Sequence, residues 1–91
     1  MKRVRVVISG RVQGVWFRGW TVDEAIARGL DGWVGNRPDG TVEAVFSGPE
    51  ETVDAMISRC WTGPPAARVE AVEIFADADP VEPGFRQVPT A

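Results

Sequence analysis

The stretch Arg3-Val4-Arg5-Val6-Val7-Ile8-Ser9-Gly10-Arg11-Val12-Gln13-Gly14-Val15-Trp16-Phe17-Arg18 leads from one hydrophobic period into another, and that change decides the fold. Val4, Val6 and Ile8 alternate with Arg3, Arg5 and Val7, the period of two expected of a strand with one buried face. Gly10-Arg11-Val12-Gln13-Gly14 interrupts that period as a loop. Beyond it, Val22, Ala25, Ile26, Gly29 and Leu30 stand at offsets of 0, 3, 4, 7 and 8, which predicts an amphipathic helix from about Arg18 to Arg28. Gly29 suits the left-handed residue that closes such a helix, with Leu30 folding back onto the last turn.

The pattern then repeats. Trp33 to Asn36 reads as a second strand, Arg37-Pro38-Asp39-Gly40 as a turn, and Thr41 to Phe46 as a third strand. Val42, Ala44 and Phe46 share one side of that strand, and Thr41, Glu43 and Val45 the other, so the pair predicts an antiparallel hairpin. Ser47-Gly48-Pro49-Glu50-Glu51 is a helix start, with Pro49 at the first helical position and acids beside the positive end of the dipole. Val53, Met56, Ile57, Cys60 and Trp61 repeat the offsets 0, 3, 4, 7 and 8, and Gly63-Pro64-Pro65 ends the helix. Val69 to Phe75 is a fourth strand whose phase shift between Ala71 and Val72 predicts a bulge or burial on both faces. Asp77 to Pro83 reads as loop, and Gly84 to Val88 as a short edge strand. The order βαββαβ predicts an α+β fold, a ferredoxin-like α/β sandwich with both helices on one face of an antiparallel sheet and the other face partly open.

Composition bounds the chemistry. With 91 residues, 44% hydrophobic and 25% charged, the chain fits one soluble domain spanning residues 1–91, whose function must sit on a surface site. Ten Lys and Arg against thirteen Asp and Glu give a net charge of −3, which argues against nonspecific binding to nucleic acid or anionic lipid. The absence of histidine excludes an imidazole base or metal ligand, and the lone Cys60 excludes an internal disulfide and a thiolate cluster. Asp77, Asp79 and Glu82 lack the spacing of a calcium loop, so no metal and no cofactor are expected. The apolar run after Met1-Lys2-Arg3 is too short for a signal peptide, and no segment reads as a membrane span; a cytoplasmic monomer is expected. Cys60, Trp33 and Trp61 are expected to pack in the core.

The functional signal lies where the first strand gives way to the first helix. Such a junction offers inward-pointing loop amides, unpaired N–H groups in the first helical turn and the positive end of the dipole, all of which favour an anion. The guanidinium of Arg18 adds a fork of donors matched to phosphate oxygens, and Arg11 and Arg37 thicken the positive field. The bland alternative is a tight turn beside a solvated arginine, because short glycine motifs match freely by chance.

The whole chain reduces that ambiguity. Gly10-Arg11-Val12-Gln13-Gly14-Val15-Trp16-Phe17-Arg18, followed by Gly32-Trp33-Val34-Gly35-Asn36, Asp39-Gly40-Thr41-Val42-Glu43, the Ser47-Gly48-Pro49-Glu50 helix start and the Gly63-Pro64-Pro65 to Glu70 segment, resembles the acylphosphatase family. The resemblance implies a metal-independent hydrolase that cleaves the carboxyl–phosphate bond of small acyl phosphates by water attack on phosphorus. It implies that Arg18 binds the phosphoryl group, that Asn36 positions the attacking water, and that backbone amides of Val12, Gln13, Gly14, Val15, Trp16 and Phe17 cradle the phosphate. Gly35 stands where the family commonly carries Arg or Lys, and Trp16 where small residues are frequent. The Trp16 indole has two open roles, contact with the acyl group or shielding of the helix start.

That chemistry needs neither imidazole nor metal. The leaving carboxylate has a conjugate acid of pKa about 4 and departs unprotonated. A loose phosphoryl transition state is served by positioning and electrostatics. Asn36 orients a water rather than deprotonating it, and the proton passes to a phosphoryl oxygen, whose second pKa is about 6 in phosphate monoesters. Asp39 or Glu43 is the competing base, expected instead to form the turn and a solvated strand position. Two rival functions remain at this point. An RNA-recognition motif shares the element order, but the chain has no tyrosine and lacks exposed aromatic pairs on its third strand. A noncatalytic anion-binding module, of the kind found within larger carbamoyl-transfer proteins, is the other; a chain ending at Ala91 favours the free enzyme.

Overall fold

The computed structural model describes residues 1–76 and 78–90. Seven elements follow in order: β1 (Lys2–Arg11), α1 (Phe17–Ala27), β2 (Asp31–Asn36), β3 (Val42–Gly48), α2 (Glu50–Cys60), β4 (Arg68–Phe75) and β5 (Phe85–Gln87). They form one sheet of order β4-β1-β3-β2-β5. The order agrees with the ferredoxin-like α+β sandwich expected from the periodicity. Asp77 lies outside the described residues, so the loop expected there is seen only from residue 78.

β1 pairs antiparallel with both β3 and β4, and β2 pairs antiparallel with β3. β5 instead runs parallel to β2, which corrects the expectation of a wholly antiparallel sheet. The chain leaves β4 at one edge and must reach the opposite edge, where backbone bonds from Gly32 N to Gly84 O (2.9 Å) and from Val88 N to Val34 O (2.9 Å) seat it along β2. A Cβ on Gly35 would stand 2.7 Å from Val88 Cγ2, so glycine lets this last segment lie close against the sheet.

Val4, Val6 and Ile8 of β1, Val34 of β2 and Val42, Ala44 and Phe46 of β3 are buried under the helices, as their alternation requires. α2 buries Val53, Met56, Ile57 and Cys60, but Trp61, which caps the helix, is 51% exposed rather than packed in the core. Pro49 precedes the first turn of α2 rather than opening it.

α1 departs further from expectation. It begins at Phe17 and buries Phe17, Trp20, Thr21 and Ala25, while Ile26 is 59% exposed and Val22 only partly covered. Two aromatic rings outweigh two aliphatic ones in buried area, and Phe17 and Trp20 meet edge to face at 5.3 Å, turning the helix by about one residue. Thr21 is tolerated there because its hydroxyl donates to Phe17 O at 2.8 Å. The C-terminus is as expected: Gly29 takes φ 67°, with Gly29 N bonded to Ile26 O and Leu30 N to Ala25 O, both at 3.0 Å.

The bulge is present one residue before its expected place. Ser9 faces Ala71 and Gly10 faces Val69, leaving Glu70 unopposed on β4. The backbones approach so closely there that a Cβ on Gly10 would overlap Arg68 O and stand 2.8 Å from Glu70 N. No described helix is long and apolar enough to cross a membrane.

Candidate active site

Five residues join β1 to α1, and their apolar side chains fasten the connection. Val12, Val15 and Phe17 are buried in the core, which anchors the connection against the sheet and helices. Gly14 and Trp16 take positive φ, 74° and 67°. For Gly14 that conformation is easy, whereas for Trp16 it costs about 1 kcal/mol. The two left-handed residues turn the chain sharply enough to line up successive amides. Among the described residues, none of the backbone N–H groups from Gly14 through Gly19 has a protein acceptor, although Trp16 O already receives Trp20 N at 3.0 Å. Trp16 is the residue capping α1, and its indole supplies no acceptor to the first turn. Six consecutive donors at a helix start, unpaired among the described residues, concentrate positive potential that suits an anion.

An open surface cavity lies against this turn. Val12, Gln13, Gly14, Trp16 and Phe17 line it, as does Arg18; Val15 does not. Arg18 is half-buried and makes no ion pair among the described residues, so its guanidinium has no carboxylate to displace before meeting an anion. Two lining residues were not singled out as site residues from the sequence. Gly19 carried one signal, a glycine inside a helical pattern directly after Arg18. Gln87 carried none, because a three-residue strand has no period to read and its place depends on β5 crossing to the far edge.

Asn36 is not part of that cavity wall. It ends β2 opposite Val42, in the same row sense as Val34 opposite Ala44 and Gly32 opposite Phe46. Because Val42, Ala44 and Phe46 all face the helices, Asn36 rises from the helix side of the sheet, the side on which the loop lies. Its Oδ1 is buried with no hydrogen-bond partner among the described residues. A buried acceptor in that state costs about 1–3 kcal/mol and is suited to a donor from water or ligand.

Gln13 joins the two parts. Its Nε2 donates to Arg37 O at 2.9 Å and to Thr41 O at 2.8 Å, so a residue of the loop holds the hairpin immediately beyond Asn36. The carboxylates considered as bases are placed elsewhere. Asp39 Oδ1 accepts from Thr41 Oγ1 at 2.6 Å and Thr41 N at 3.0 Å, and these bonds, with Arg37 nearby, hold its carboxyl below the usual range. Glu43 pairs across to Val7 and Gly35 on the opposite face of the sheet, where it meets Arg5 at 3.2 Å. Cys60 is fully buried and its thiol is pushed up to about 12 by that burial, which suits packing rather than reaction. No group of three or more Cys, Asp or Glu that could hold a metal occurs among the described residues.

Comparison with known proteins gives consistent results. A family model described as Acylphosphatase matches residues 4–87. The chain is 57% identical over 90 residues to a Rhodospirillum rubrum protein named Acylphosphatase, covering 99% of each chain. It is 52% identical over 86 residues to the Acylphosphatase of Rhizorhabdus wittichii, covering 94% of this chain and 87% of the other. The crystal structure of acylphosphatase from Bacillus subtilis superposes with a TM-score of 0.91 at 35% identity, covering 97% of this chain and 99% of that one.

Proposed function

Given that the chain belongs to the acylphosphatase family and is an acylphosphatase by those likenesses, we propose that it hydrolyses small acyl phosphates at the β1–α1 turn with Arg18 and Asn36 as its catalytic residues. The observation that carries the site is the run of amides from Gly14 to Gly19 beside Arg18, unpaired and without an ion pair respectively among the described residues. The phosphoryl oxygens accept from those amides and from the Arg18 guanidinium, which grip the equatorial oxygens as charge spreads over them. Gln13, Val12 and the buried side chains of Val15 and Phe17 keep the amides in place.

The attacking water donates one hydrogen to Asn36 Oδ1 and the other to a phosphoryl oxygen, which leaves a lone pair directed at phosphorus. The water oxygen bonds to phosphorus, the bond from phosphorus to the carboxyl oxygen breaks, and the carboxylate leaves with the electron pair. The water's proton passes to the phosphoryl oxygen, so the products are a carboxylate and inorganic phosphate. The leaving group needs no acid, because a carboxylic acid of pKa about 4 is ionised at neutral pH. Neither a metal nor a cofactor enters this route. The reading takes residues 1–91 as a single domain acting as a cytoplasmic monomer, and the net charge of −3 supports the absence of a nucleic-acid partner.

Benzoyl phosphate hydrolysis in EDTA tests the assignment. Turnover is expected without metal, falling by about 10³-fold in Arg18→Ala, within the range seen when one transition-state donor is removed, and by about 10²-fold in Asn36→Ala, which loses the acceptor that orients the water. Inorganic phosphate is expected to compete with substrate. In ¹⁸O-labelled water the label is expected in phosphate; label in benzoate, or wild-type rates in both variants, would refute attack on phosphorus at this site.

A further inference from the structure

Trp16 violates three local preferences together. It is a large side chain in the left-handed region, with φ 67° and ψ 23°. It occupies a helix-capping position without offering an acceptor. It is 63% exposed, so core packing does not reward either departure. A glycine or asparagine would meet the backbone requirement at less cost. Such concentrated local conflict is a mark of a functional constraint.

The surroundings show what the side chain is held for. A Cβ on Gly19 would overlap the indole nitrogen of Trp16 and stand 2.6 Å from its Cε2 and 2.8 Å from its Cδ1. The bare backbone of Gly19 is therefore a seat for the pyrrole edge of the indole on the first turn of α1, even though glycine there costs about 1 kcal/mol relative to alanine. Trp16 and Gly19 line the same cavity as Arg18, and so does Gln87 of β5. A phosphoryl group held by the amides and Arg18 leaves its acyl group to be met by what remains of the wall, an indole surface and one polar amide.

We propose that Trp16, seated on Gly19, forms with Gln87 an acyl-binding subsite that favours acyl phosphates with a flat, unsaturated acyl group, aromatic ones above all, over acetyl phosphate. This rests on the reading that the loop amides and Arg18 hold the phosphoryl group. The indole face stacks on the planar acyl group, which a methyl group cannot exploit, and the Gln87 carboxamide donates to the acyl carbonyl oxygen.

The test compares benzoyl phosphate with acetyl phosphate as substrates, and phenylphosphonate with inorganic phosphate as inhibitors, in wild type, Trp16→Gly, Trp16→Phe and Gly19→Ala. Trp16→Gly keeps the left-handed turn, so a loss cannot be assigned to a misfolded loop. The benzoyl-to-acetyl ratio of kcat/KM is expected to fall about 5- to 10-fold in Trp16→Gly, and the ratio of phenylphosphonate to phosphate inhibition constants to rise by a similar factor. Trp16→Phe is expected to retain both ratios within about 3-fold, and Gly19→Ala, which unseats the indole, to lower the substrate ratio as Trp16→Gly does. Unchanged ratios in Trp16→Gly would overturn the proposal. If inorganic phosphate failed to compete in wild type, the phosphoryl site beneath it would fall instead.

Discussion

Removing the Gln13 amide isolates the link between the β1–α1 loop, the proposed phosphate cradle, and the hairpin that carries Asn36. In Gln13→Ala two hydrogen bonds are lost, to Arg37 O at 2.9 Å and Thr41 O at 2.8 Å. Neither carbonyl is left without a donor, because Gly40 N still reaches Arg37 O at 3.1 Å and Arg37 N still reaches Thr41 O at 2.9 Å. The penalty is therefore two ordinary hydrogen bonds without an orphaned acceptor, about 1–2 kcal/mol in all. That energy holds Asn36 in register with the loop, and its loss corresponds to a factor of about 5–30 in the fraction of molecules correctly aligned. Steady-state kinetics with benzoyl phosphate should show kcat reduced by that factor, while the inhibition constant for inorganic phosphate rises several-fold less. Urea denaturation should show a stability loss of the same 1–2 kcal/mol. Gln13→Glu should be at least as damaging once its carboxylate is ionised, since it would face two carbonyl oxygens with no proton to donate. Two results would refute the reasoning: equal proportional changes in kcat and in phosphate inhibition, or a stability loss with wild-type kcat.

Gly32→Ala tests the hairpin itself. Gly32 has φ 140° and a Cβ there would overlap Val45 O and stand 2.8 Å from Val45 C, so the variant should lose about 2–5 kcal/mol by urea denaturation. A loss below about 1 kcal/mol would mean the close approach is readily relaxed. Asp39→Asn tests the rival base: kcat should stay within about 3-fold of wild type, because Asp39 serves Thr41 and the turn. Its depressed carboxyl contributes stability that is present above its unfolded value of about 3.9 and is lost as pH falls through the lower folded value, so thermal melts of wild type and Asp39→Asn should converge only in that acid window. A kcat lower by 10²-fold would return Asp39 to the role of base.

The strands and the second helix were legible because each has an alternation or a stripe whose phase one face of the sheet can satisfy. α1 was legible as a helix but not in its rotation: Val22 and Ile26 fit the 3.6-residue period as well as Phe17, Thr21 and Ala25 do, and only ring size decides between them. The face of Asn36 follows from counting along β2 from Val34, so the strand alternation already sets it on the helix side. Long-range pairings were not legible. β5 is too short to show a period, its parallel run beside β2 comes from a crossing between sheet edges, and Gln87 reaches the cavity only through that crossing. The Gln13 bonds to the hairpin span 24 and 28 residues, and no local pattern announces a side-chain amide that binds backbone so far away.

The net charge of −3 and the lack of histidine fit the proposed site for one physical reason. A dianionic phosphoryl group near a carboxylate would lose affinity by like-charge repulsion, and near an imidazole its binding would vary with pH across the neutral range. Backbone amides, a carboxamide and a guanidinium hold one state there. The acids visible near the hairpin are each engaged elsewhere, Asp39 by Thr41 and Arg37 and Glu43 by Arg5 on the other face. A local field set by unpaired amides and Arg18 is then not opposed by the surface as a whole, because exposed charges more than about 8–10 Å away are screened at physiological ionic strength. In the proposed mechanism the buried Oδ1 of Asn36, without a partner among the described residues, complements that field as an acceptor that takes a hydrogen from water and turns the water's lone pair toward phosphorus.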